Sequence, residues 1–360
     1  MQKKNKSILI IGPFPDPITG VSLANQVLYD ALLEKNIKVS KINTSLYAFD
    51  ENVGKFSIKK TLHFLKFNIY FYKIFSVNAI YLTPGQTFFG VSKYTAYFLL
   101  ARIFGKNLVL HMHSNIFHIE YKKTPKLKRR FLRFLLKGAK KGIVLSPSLK
   151  HNLTPFIKET NITSICNFVE PTFISSKEEV ISKTFNSIRI VFLSNLMTQK
   201  GIIFLFEALE NLEKNNIHYE ARFAGAIDDS IKDKVENYFT KLKGITYLGI
   251  VKGEQKKMLL KWGNTFIFPS YLTEGLPISI LEAMATGNHI IATKHQALLD
   301  LFSDDSIYYI EKKSSTDIED AIKLIKQNQN QTARVKNHNF ITKNCSVNLF
   351  TDSILKFIFE

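Results

Sequence analysis

Short apolar runs alternate with amphipathic segments through the first half of the chain. The runs are ILIIGPF, KVSKIN, NAIYLT, NLVLHMH and GIVLS, and helical patterns lie between them. The loop PFPDPITG, for example, leads from the first run into an amphipathic segment at about residues 21–35. Apolar runs of this length are typical of parallel strands that are buried on both faces. Their alternation with helices predicts a doubly wound α/β sheet.

The second half repeats this alternation with a second set of strands. Its runs are IRIVFLS, YEARFAG, ITYLGIV, NTFIFPS and HIIAT, each followed by a helical pattern. Between the halves, residues 172–187 are polar and lack strong periodicity, so we expect a linker there. The sequence therefore predicts two Rossmann-like halves, and a last apolar helix follows at about residues 347–359.

The totals agree with a globular protein of two α/β domains. A chain of 360 residues with 45% hydrophobic positions has room for two cores. No stretch approaches the roughly 18 uninterrupted apolar residues of a membrane span, and SILIIG near the start is too short for a signal peptide. Cys166 and Cys345 have no motif spacing, so we expect neither a disulfide framework nor a zinc site, consistent with a reducing cytoplasm.

The positive charge is concentrated in the first half of the chain. Residues 1–170 contain 26 Lys and Arg against 8 Asp and Glu, a net +18, which leaves 23 against 22, or +1, for the rest. A basic half beside a neutral half indicates an anionic partner for the first half. Nucleic acid, an anionic membrane and a phosphate-bearing acceptor all remain open.

Two segments, residues 55–75 and 126–141, hold much of this charge. On a helical wheel of about 100° per residue, the basic side chains of each segment share one face, opposite Leu, Ile and Phe. One interpretation is that the apolar faces pack on the sheet and the basic stripes are merely solvated. The other is peripheral attachment, to which each Lys or Arg near an anionic leaflet contributes about 1 kcal/mol. The two basic faces consist of Lys59, Lys60, His63, Lys66 and Lys73, and of Arg129, Arg130, Arg133, Lys137 and Lys140.

Residues 271–293, YLTEGLPISILEAMATGNHIIAT, place two carboxylates eight residues apart around a helix start. Glu274 is expected in a loop and Glu282 in the following helix, with Pro277 at the first helical position and Gly287 closing the helix. The helix tip, formed by Leu276, Pro277, Ile278 and Ser279, would offer unpaired N–H groups and a positive dipole end to a phosphate or diphosphate.

A carboxylate accepts two hydroxyl hydrogen bonds side by side, so one glutamate suits a sugar and the other a ribose. The alternative for each residue taken singly is a solvated helix face for Glu282 and an ordinary turn for Glu274. Together with the helix tip, the pair outlines a nucleotide-sugar site.

The whole segment from Glu274 to Thr293 is a more specific signal than any one of its residues. Glu274, Gly275, Pro277, Glu282, Ala283, Met284, Ala285 and Gly287, followed by HIIAT, resemble the glutamate-pair signature of retaining family 4 glycosyltransferases. The resemblance implies the GT-B fold, with two Rossmann-like domains that face a cleft. It also implies an acceptor-binding domain at residues 1–170, joined by the last helix at 347–359, and a donor-binding domain at residues 171–346.

Further positions carry the resemblance outside this segment. In LSNLMTQKG, Lys200 and Gly201 match the family's diphosphate-binding pair, but Asn195 stands where the family has an arginine. Asn offers a neutral amide in place of a charged bidentate fork. Gly20, in the first βα loop, resembles the position where the backbone approaches the donor, although an ordinary turn would also explain it. His113, at the end of NLVLHMH, resembles the family's sugar-pocket histidine, with a structural histidine as the alternative.

The resemblance implies a role for each candidate residue. Glu282 would bind the ribose, the helix tip and Lys200 the diphosphate, with Gly20 and Asn195 also in the donor site, and Glu274 and His113 would act at the transferred sugar. The acceptor hydroxyl would attack the face that the diphosphate vacates. No Asp-x-Asp motif occurs, so we expect neither a metal nor a cofactor.

The expected activity is transfer of a hexosyl or related group from a nucleoside diphosphate sugar to a lipid-linked or cell-surface glycan. Bacterial capsule, O-antigen or exopolysaccharide assembly is the expected pathway, with the enzyme in the cytoplasm, bound peripherally to the inner face of the membrane. Two other GT-B activities, a nucleotide-sugar epimerase and a phosphorylase, remain open. A nucleic-acid-binding protein is a further alternative, but no such motif is present, so we expect no nucleic-acid partner.

Overall fold

The computed structural model describes residues 6–45, 67–328 and 331–360. The chain divides into two compact units. The first contains the described residues up to Asn167, together with Glu274–Leu276 and Val347–Glu360, and the second contains Phe168–Thr273 and Pro277–Ser346.

The described part of the first unit is built on a sheet of six parallel strands in the order β2-β1-β3-β4-β5-β6. Ile8 of β1 lies opposite Val39 of β2 and Ala79 of β3. The strands are β1 Ser7–Gly12, β2 Lys38–Asn43, β3 Ala79–Leu82, β4 Asn107–Met112, β5 Lys141–Val144 and β6 Ile162–Ser164. The α-helices are α1 Gly20–Glu34, α2 Phe88–Ser92, α3 Thr95–Ile103, α4 Phe117–Lys123 and α5 Lys126–Leu136. Three-ten helices span Ile69–Ser76, Pro147–Asn152 and Glu159–Asn161.

The second unit has a sheet of six parallel strands, in the order β12-β11-β10-β7-β8-β9, among its described residues. Its strands are β7 Ile188–Leu193, β8 Tyr219–Ala224, β9 Ile245–Tyr247, β10 Thr265–Phe268, β11 His289–Thr293 and β12 Tyr308–Ile310. Its α-helices are α6 Lys177–Ser182, α7 Ile202–Lys214, α8 Lys232–Lys241, α9 Gly253–Trp262, α10 Ile278–Ala285, α11 Gln296–Leu301, α12 Ser315–Asn328 and α13 Gln331–Asn344. Three-ten helices span Pro171–Phe173, Thr198–Lys200 and Asp229–Ile231.

The central strands are continuous apolar runs because helices cover both faces of each sheet. Every residue of β1, SILIIG, and of β11, HIIAT, is buried. The prediction of two Rossmann-like halves is therefore confirmed. The sequence pattern missed β6 and β12, which are edge strands of three residues each.

Each sheet reverses its winding direction at one place, and such switch points are where doubly wound sheets bind ligands. In the first unit, β2 and β3 lie on opposite sides of β1, so the switch falls between β1 and β3. In the second unit it falls between β7 and β10. Loops that leave the carboxyl ends of these strands are therefore the candidate ligand-binding loops.

Residues 172–187, expected to form a linker, are folded within the second unit. Ser176 and Glu179 form a capping box that starts α6, and Val180 is fully buried. The polar character of the segment thus reflects a capped surface helix. The division between the units falls between Asn167 and Phe168.

The last helix, α14 Val347–Phe359, has the bounds that the apolar pattern predicts and belongs to the first unit. The side chains of Asn107 and Lys141 each donate to one of its last carbonyls, Ile358 O and Phe357 O, at 2.6 Å. Lys35 of α1 forms an ion pair with Asp352 at 3.0 Å. These contacts satisfy the helix C-terminus and hold α14 against the first sheet.

The two basic segments have different outcomes. Residues 55–66, with Lys59, Lys60, His63 and Lys66, lie outside the described residues, while Lys73 lies in the three-ten helix Ile69–Ser76. The second segment forms α5 over Lys126–Leu136 only, so Lys137 is the C-cap residue and Lys140 of the predicted basic face lies beyond the helix. Within the described ranges, no helix is both long and apolar enough to cross a bilayer.

Candidate functional site

Helix α10 begins at Ile278, one residue later than the sequence pattern predicts. Pro277 is the N-cap residue, with φ −65° and ψ 121°, and no side chain caps the helix. The helix begins one residue later because Pro277 has a helical φ but an extended ψ. The first N–H groups, at Ile278 and Ser279, are thus left for a ligand at the positive end of the helix dipole.

The other end of α10 is closed by a Schellman motif. Gly287, at φ +73°, donates its N–H to Met284 O at 3.1 Å, and Asn288 N–H donates to Ala283 O at 3.0 Å. Gly287 therefore ends the helix as predicted, and the eight residues of α10 are fixed at their C-terminus.

Glu282, on the second turn of α10, is fully buried and ion-paired. Lys256 Nζ of α9 lies 2.6 Å from Glu282 Oε1, and Glu282 Oε2 has no hydrogen-bond partner among the described residues. Burial raises the pKa of the Glu282 carboxyl, Lys256 lowers it partway back, and Glu170 raises it again. Lys256 Nζ also lies 4.7 Å from the centre of the Phe173 ring. Lys256 thus opposes the effect of burial on this carboxyl and favours its charged form.

Lys200 lies in the loop after β7, on one side of the switch point. Its Nζ is 5.3 Å from the centre of the Phe268 ring at the end of β10. The next residue, Gly201, has φ +76°, and a Cβ there would lie 2.2 Å from Pro269 O. The sequence therefore needs glycine after Lys200 so that this loop can approach the end of β10 closely.

Asn195 is half-buried, two residues beyond the end of β7. Its loop is tied to the loop after β8, because Leu196 N–H donates to Ala226 O at 2.8 Å and Asp228 N–H donates to Leu196 O at 3.0 Å. Asn195 and Lys200 thus follow the same strand on the switch-point side of the second sheet.

Sequence analysis did not identify three buried polar residues at the ends of β10 and β11. Thr293 Oγ1 donates to Ser270 O at 2.5 Å and lies 2.9 Å from His295 Nε2. The three residues are buried, and they connect the two strand ends that flank α10. Lys256 and Phe173 also escaped it, because one lysine in QKKM and one Phe in a polar segment give no periodic signal.

In the first unit, His113 follows β4 directly and contacts a second histidine. The ring centres of His111 and His113 are 3.9 Å apart, and Tyr81 OH hydrogen-bonds His111 Nδ1 in the core. Burial lowers the pKa of His113 to about 3, so its imidazole is neutral near pH 7. Its Nε2 has no hydrogen-bond partner within the described ranges. A neutral ring with an unpaired nitrogen can exchange one hydrogen bond with a ligand.

Glu274, Gly275 and Leu276 also belong to the first unit, where they pack near His113. A Cβ at Gly275 would lie only 2.1 Å from His113 O, and Asn167 Nδ2 donates to Leu276 O at 2.6 Å. The loop that carries Glu274 therefore runs directly beside the end of β4, where Gly275 approaches the backbone of His113.

Gly20 is the first residue of α1, after the switch-point strand β1. Thr19 and Ser22 form a capping box, and the space beside the Gly20 α-carbon is open. The predicted residues are thus divided between the units. The first unit holds Gly20, His113, Glu274 and Leu276, and the second holds Asn195, Lys200, Pro277, Ile278, Ser279 and Glu282.

Comparison with known proteins shows similarity to glycosyltransferases. Residues 175–341 match the family model of glycosyl transferases group 1. An uncharacterized glycosyltransferase of Methanocaldococcus jannaschii is 23% identical over 329 residues, which cover 86% of this chain and 83% of that protein. TuaC of Bacillus subtilis, a candidate glycosyltransferase of teichuronic acid biosynthesis, is 30% identical over 132 residues, or 37% of this chain and 31% of that protein.

Among solved structures, that of Anabaena HepE in complex with UDP-glucose is similar over nearly the whole chain. The TM-score is 0.71 at 14% sequence identity, and the match covers 97% of this chain and 98% of the other. The GT-B prediction for the fold is therefore confirmed.

Lys256→Met should destabilise the protein, and increasingly so at higher pH. Without the lysine, the pKa of Glu282 rises further above its unfolded value, so the folded state binds the proton more tightly and loses stability as pH rises through that range. We expect a loss of about 3 kcal/mol in the free energy of unfolding at pH 8 and a smaller loss at pH 5, measured by urea denaturation.

The matched control is Lys257→Met, which removes the neighbouring lysine and its exposed pair with Glu254 at 3.2 Å. It should have little effect at either pH. Equal losses for both variants, or a loss at Lys256 that does not depend on pH, would contradict the assignment of the buried pair.

Gly275→Ala should destabilise the first unit because the new methyl group meets the backbone of His113. Overpacking of this kind costs about 1–3 kcal/mol. Gly20→Ala is the matched control, since a Cβ at Gly20 meets nothing within 4 Å. Thermal unfolding should show a lower Tm for Gly275→Ala alone, and an unchanged Tm for both variants would refute the close approach.

Proposed function

We propose that this chain is a retaining glycosyltransferase. The proposal starts from the GT-B fold and from the match of residues 175–341 to the model of glycosyl transferases group 1. The enzyme transfers a sugar from a nucleoside diphosphate sugar to an acceptor hydroxyl. The observation that carries this proposal is the start of α10, which presents uncapped N–H groups beside the switch point and holds a buried glutamate on its next turn.

The diphosphate of the donor would bind at the start of α10. Its oxygens accept from the N–H groups of Ile278 and Ser279, and Lys200 supplies a positive charge from the loop after the neighbouring strand β7. With Asn195 in the place of an arginine, more of the charge on the leaving group rests on Lys200 and on the helix dipole. Protein groups alone neutralise the diphosphate in this proposal, with no metal or other cofactor.

Glu282 would bind the ribose through Oε2, the oxygen that Lys256 leaves without a partner. Two ribose hydroxyls can donate to one carboxylate. Because the Glu282 side chain is fully shielded from solvent, the side chains around it must move to admit the ribose. Lys256 favours the charged form of the carboxylate and is therefore a positioning residue for the donor.

Glu274 and His113 would act at the transferred sugar. The bond between the anomeric carbon and the diphosphate oxygen breaks, the acceptor oxygen bonds to the same face of that carbon, and a diphosphate oxygen takes the acceptor proton. Positive charge develops on the sugar ring, where the Glu274 carboxylate would stabilise it. His113, neutral near pH 7, would hold a sugar hydroxyl and would not act as a base.

The comparisons support one class of donor and one class of acceptor. The HepE complex with UDP-glucose supports a UDP-sugar as the first donor to test. The similarity to TuaC, together with the basic first unit, supports a lipid-linked glycan acceptor in bacterial polysaccharide assembly. The enzyme would then work at the inner face of the cytoplasmic membrane, to which the basic surface binds.

UDP separates the roles of the two glutamates because it contains the ribose and the diphosphate but lacks the sugar. Glu282→Gln and Lys200→Met should each weaken UDP binding about tenfold or more, since each removes a charged partner of UDP, whereas Glu274→Gln should leave UDP affinity unchanged. Glu254→Gln, an exposed position on α9, is the matched control. Calorimetric titration with UDP, GDP and ADP measures these affinities.

In turnover, Glu274→Gln should lower kcat by about 10² or more, because its carboxylate acts where charge develops. Release of UDP from UDP-sugars, measured with and without a membrane-derived glycolipid acceptor, should depend on the acceptor. Release without any acceptor would favour an epimerase, and release that requires inorganic phosphate would favour a phosphorylase. Full activity of the Glu274 variant would refute the proposed site.

A further inference from the structure

The described first unit is almost free of acidic residues over a long stretch. Residues 67–158 contain 16 Lys and Arg and one acidic residue, Glu120. Three elements of this stretch also expose large apolar side chains: the three-ten helix Ile69–Ser76, the end of α3 and helix α5. A surface that is both basic and apolar differs from a solvated basic stripe.

Helix α5 does not bury its whole apolar side. Leu132, Leu135 and Leu136 are buried, whereas Leu127, Phe131 and Phe134 are exposed and recur at intervals of four and three residues. On the helical wheel this exposed stripe lies between the buried leucines and the basic side chains of Arg130 and Lys137. The apolar side is thus wider than packing on the protein requires.

Side-chain contacts join the three elements to one another. Phe75 of the three-ten helix contacts Phe104 after α3, with ring centres 4.8 Å apart. Arg102 lies over the Phe134 ring at 4.6 Å and donates to Phe134 O at 2.8 Å, which joins α3 to α5. The aromatic-basic face, as we name it, exposes Ile69, Tyr70, Phe71, Tyr72, Phe75, Ile103, Phe104, Leu127, Phe131 and Phe134.

We infer that the aromatic-basic face inserts its apolar side chains into the interface of an anionic lipid bilayer. Its most exposed members are aliphatic, with Leu127 81%, Ile103 71% and Ile69 66% exposed. Tyr and Phe rings suit the headgroup level, and the surrounding cations engage lipid phosphates. Charge complementarity alone would also fit nucleic acid, but exposed aliphatic tips have no favourable partner on a phosphate backbone.

This inference rests on the proposed function in one respect, since a lipid-linked acceptor is what brings the enzyme to a bilayer. The inference adds insertion of apolar side chains to the electrostatic attraction between the basic surface and the membrane. Insertion of apolar side chains is not screened by salt, whereas attraction between cations and lipid phosphates is. The two components can therefore be separated experimentally.

Vesicle flotation of the full chain tests the face with three matched variants. One carries Ile69→Ser, Phe71→Ser and Leu127→Ser on the face. The second carries Arg130→Gln, Arg133→Gln and Lys137→Gln. The control carries Met258→Ser and Leu324→Ser, two exposed apolar positions in the second unit. Vesicles of phosphatidylglycerol and phosphatidylcholine are compared with vesicles of phosphatidylcholine alone.

The unmodified chain should float with anionic vesicles. We expect the apolar variant to bind at least tenfold more weakly and the charge variant to bind more weakly mainly at low salt, with the control unchanged. Equal binding by the apolar variant and the unmodified chain would overturn the inference, as would an equal loss in the control. Retention on duplex DNA without any vesicle binding would also overturn it.

Insertion is measured directly with Phe71→Trp, a substitution of similar size. The unmodified chain, whose single tryptophan, Trp262, lies in the second unit, gives the background. On anionic vesicles the new fluorescence should shift to shorter wavelength and be quenched by brominated acyl chains. An unshifted and unquenched signal from a vesicle-bound chain would overturn insertion.

Failure of this inference and failure of the proposed function give different results. If the apolar variant still binds vesicles while UDP-sugar turnover is normal, insertion of the aromatic-basic face is refuted and the enzyme assignment stands. If insertion is observed but no UDP-sugar is consumed with any acceptor, the assignment is wrong and the face stands.

Discussion

The eight-residue helix α10 is the constraint on which the second unit's candidate site depends. It begins without a side-chain cap, which leaves its first N–H groups available, and it ends at Gly287, shortly before β11. Glu282 is then buried on the second turn of the helix, where its charge requires a partner from another helix. Lys256 is that partner, so α9 and α10 are coupled through one buried ion pair.

In each unit, close backbone approach determines the course of a loop that carries a candidate residue. Gly201 lets the loop of Lys200 run against Pro269 after β10, and Gly275 lets the loop of Glu274 run against His113 after β4. Each glycine thus places a charged residue next to the carboxyl end of a parallel strand, where open α/β sheets bind ligands. The polar contacts of Thr293 then fix the ends of β10 and β11 beside α10.

Most of the secondary structure could be predicted from the sequence because it is determined by local apolar patterns. Ten of the twelve strands in the described part of the chain follow from local patterns, as do the stop of α10 at Gly287 and the bounds of the last helix. The partners of Glu282 could not be predicted, because Lys256 and Phe173 are distant in sequence and their segments have no distinguishing pattern. The division of α5 into buried leucines and exposed Leu127, Phe131 and Phe134 also depends on neighbours that one helical wheel does not contain.

The central claim is that the start of α10 holds a diphosphate and that Glu282 holds the attached ribose. A crystal structure of the protein with UDP bound is the most direct measurement. We expect the β-phosphate within hydrogen-bond distance of the N–H groups of Ile278 and Ser279, with a ribose hydroxyl on Glu282. A UDP molecule bound elsewhere, with the ion pair between Glu282 and Lys256 undisturbed and the helix start vacant, would contradict the claim.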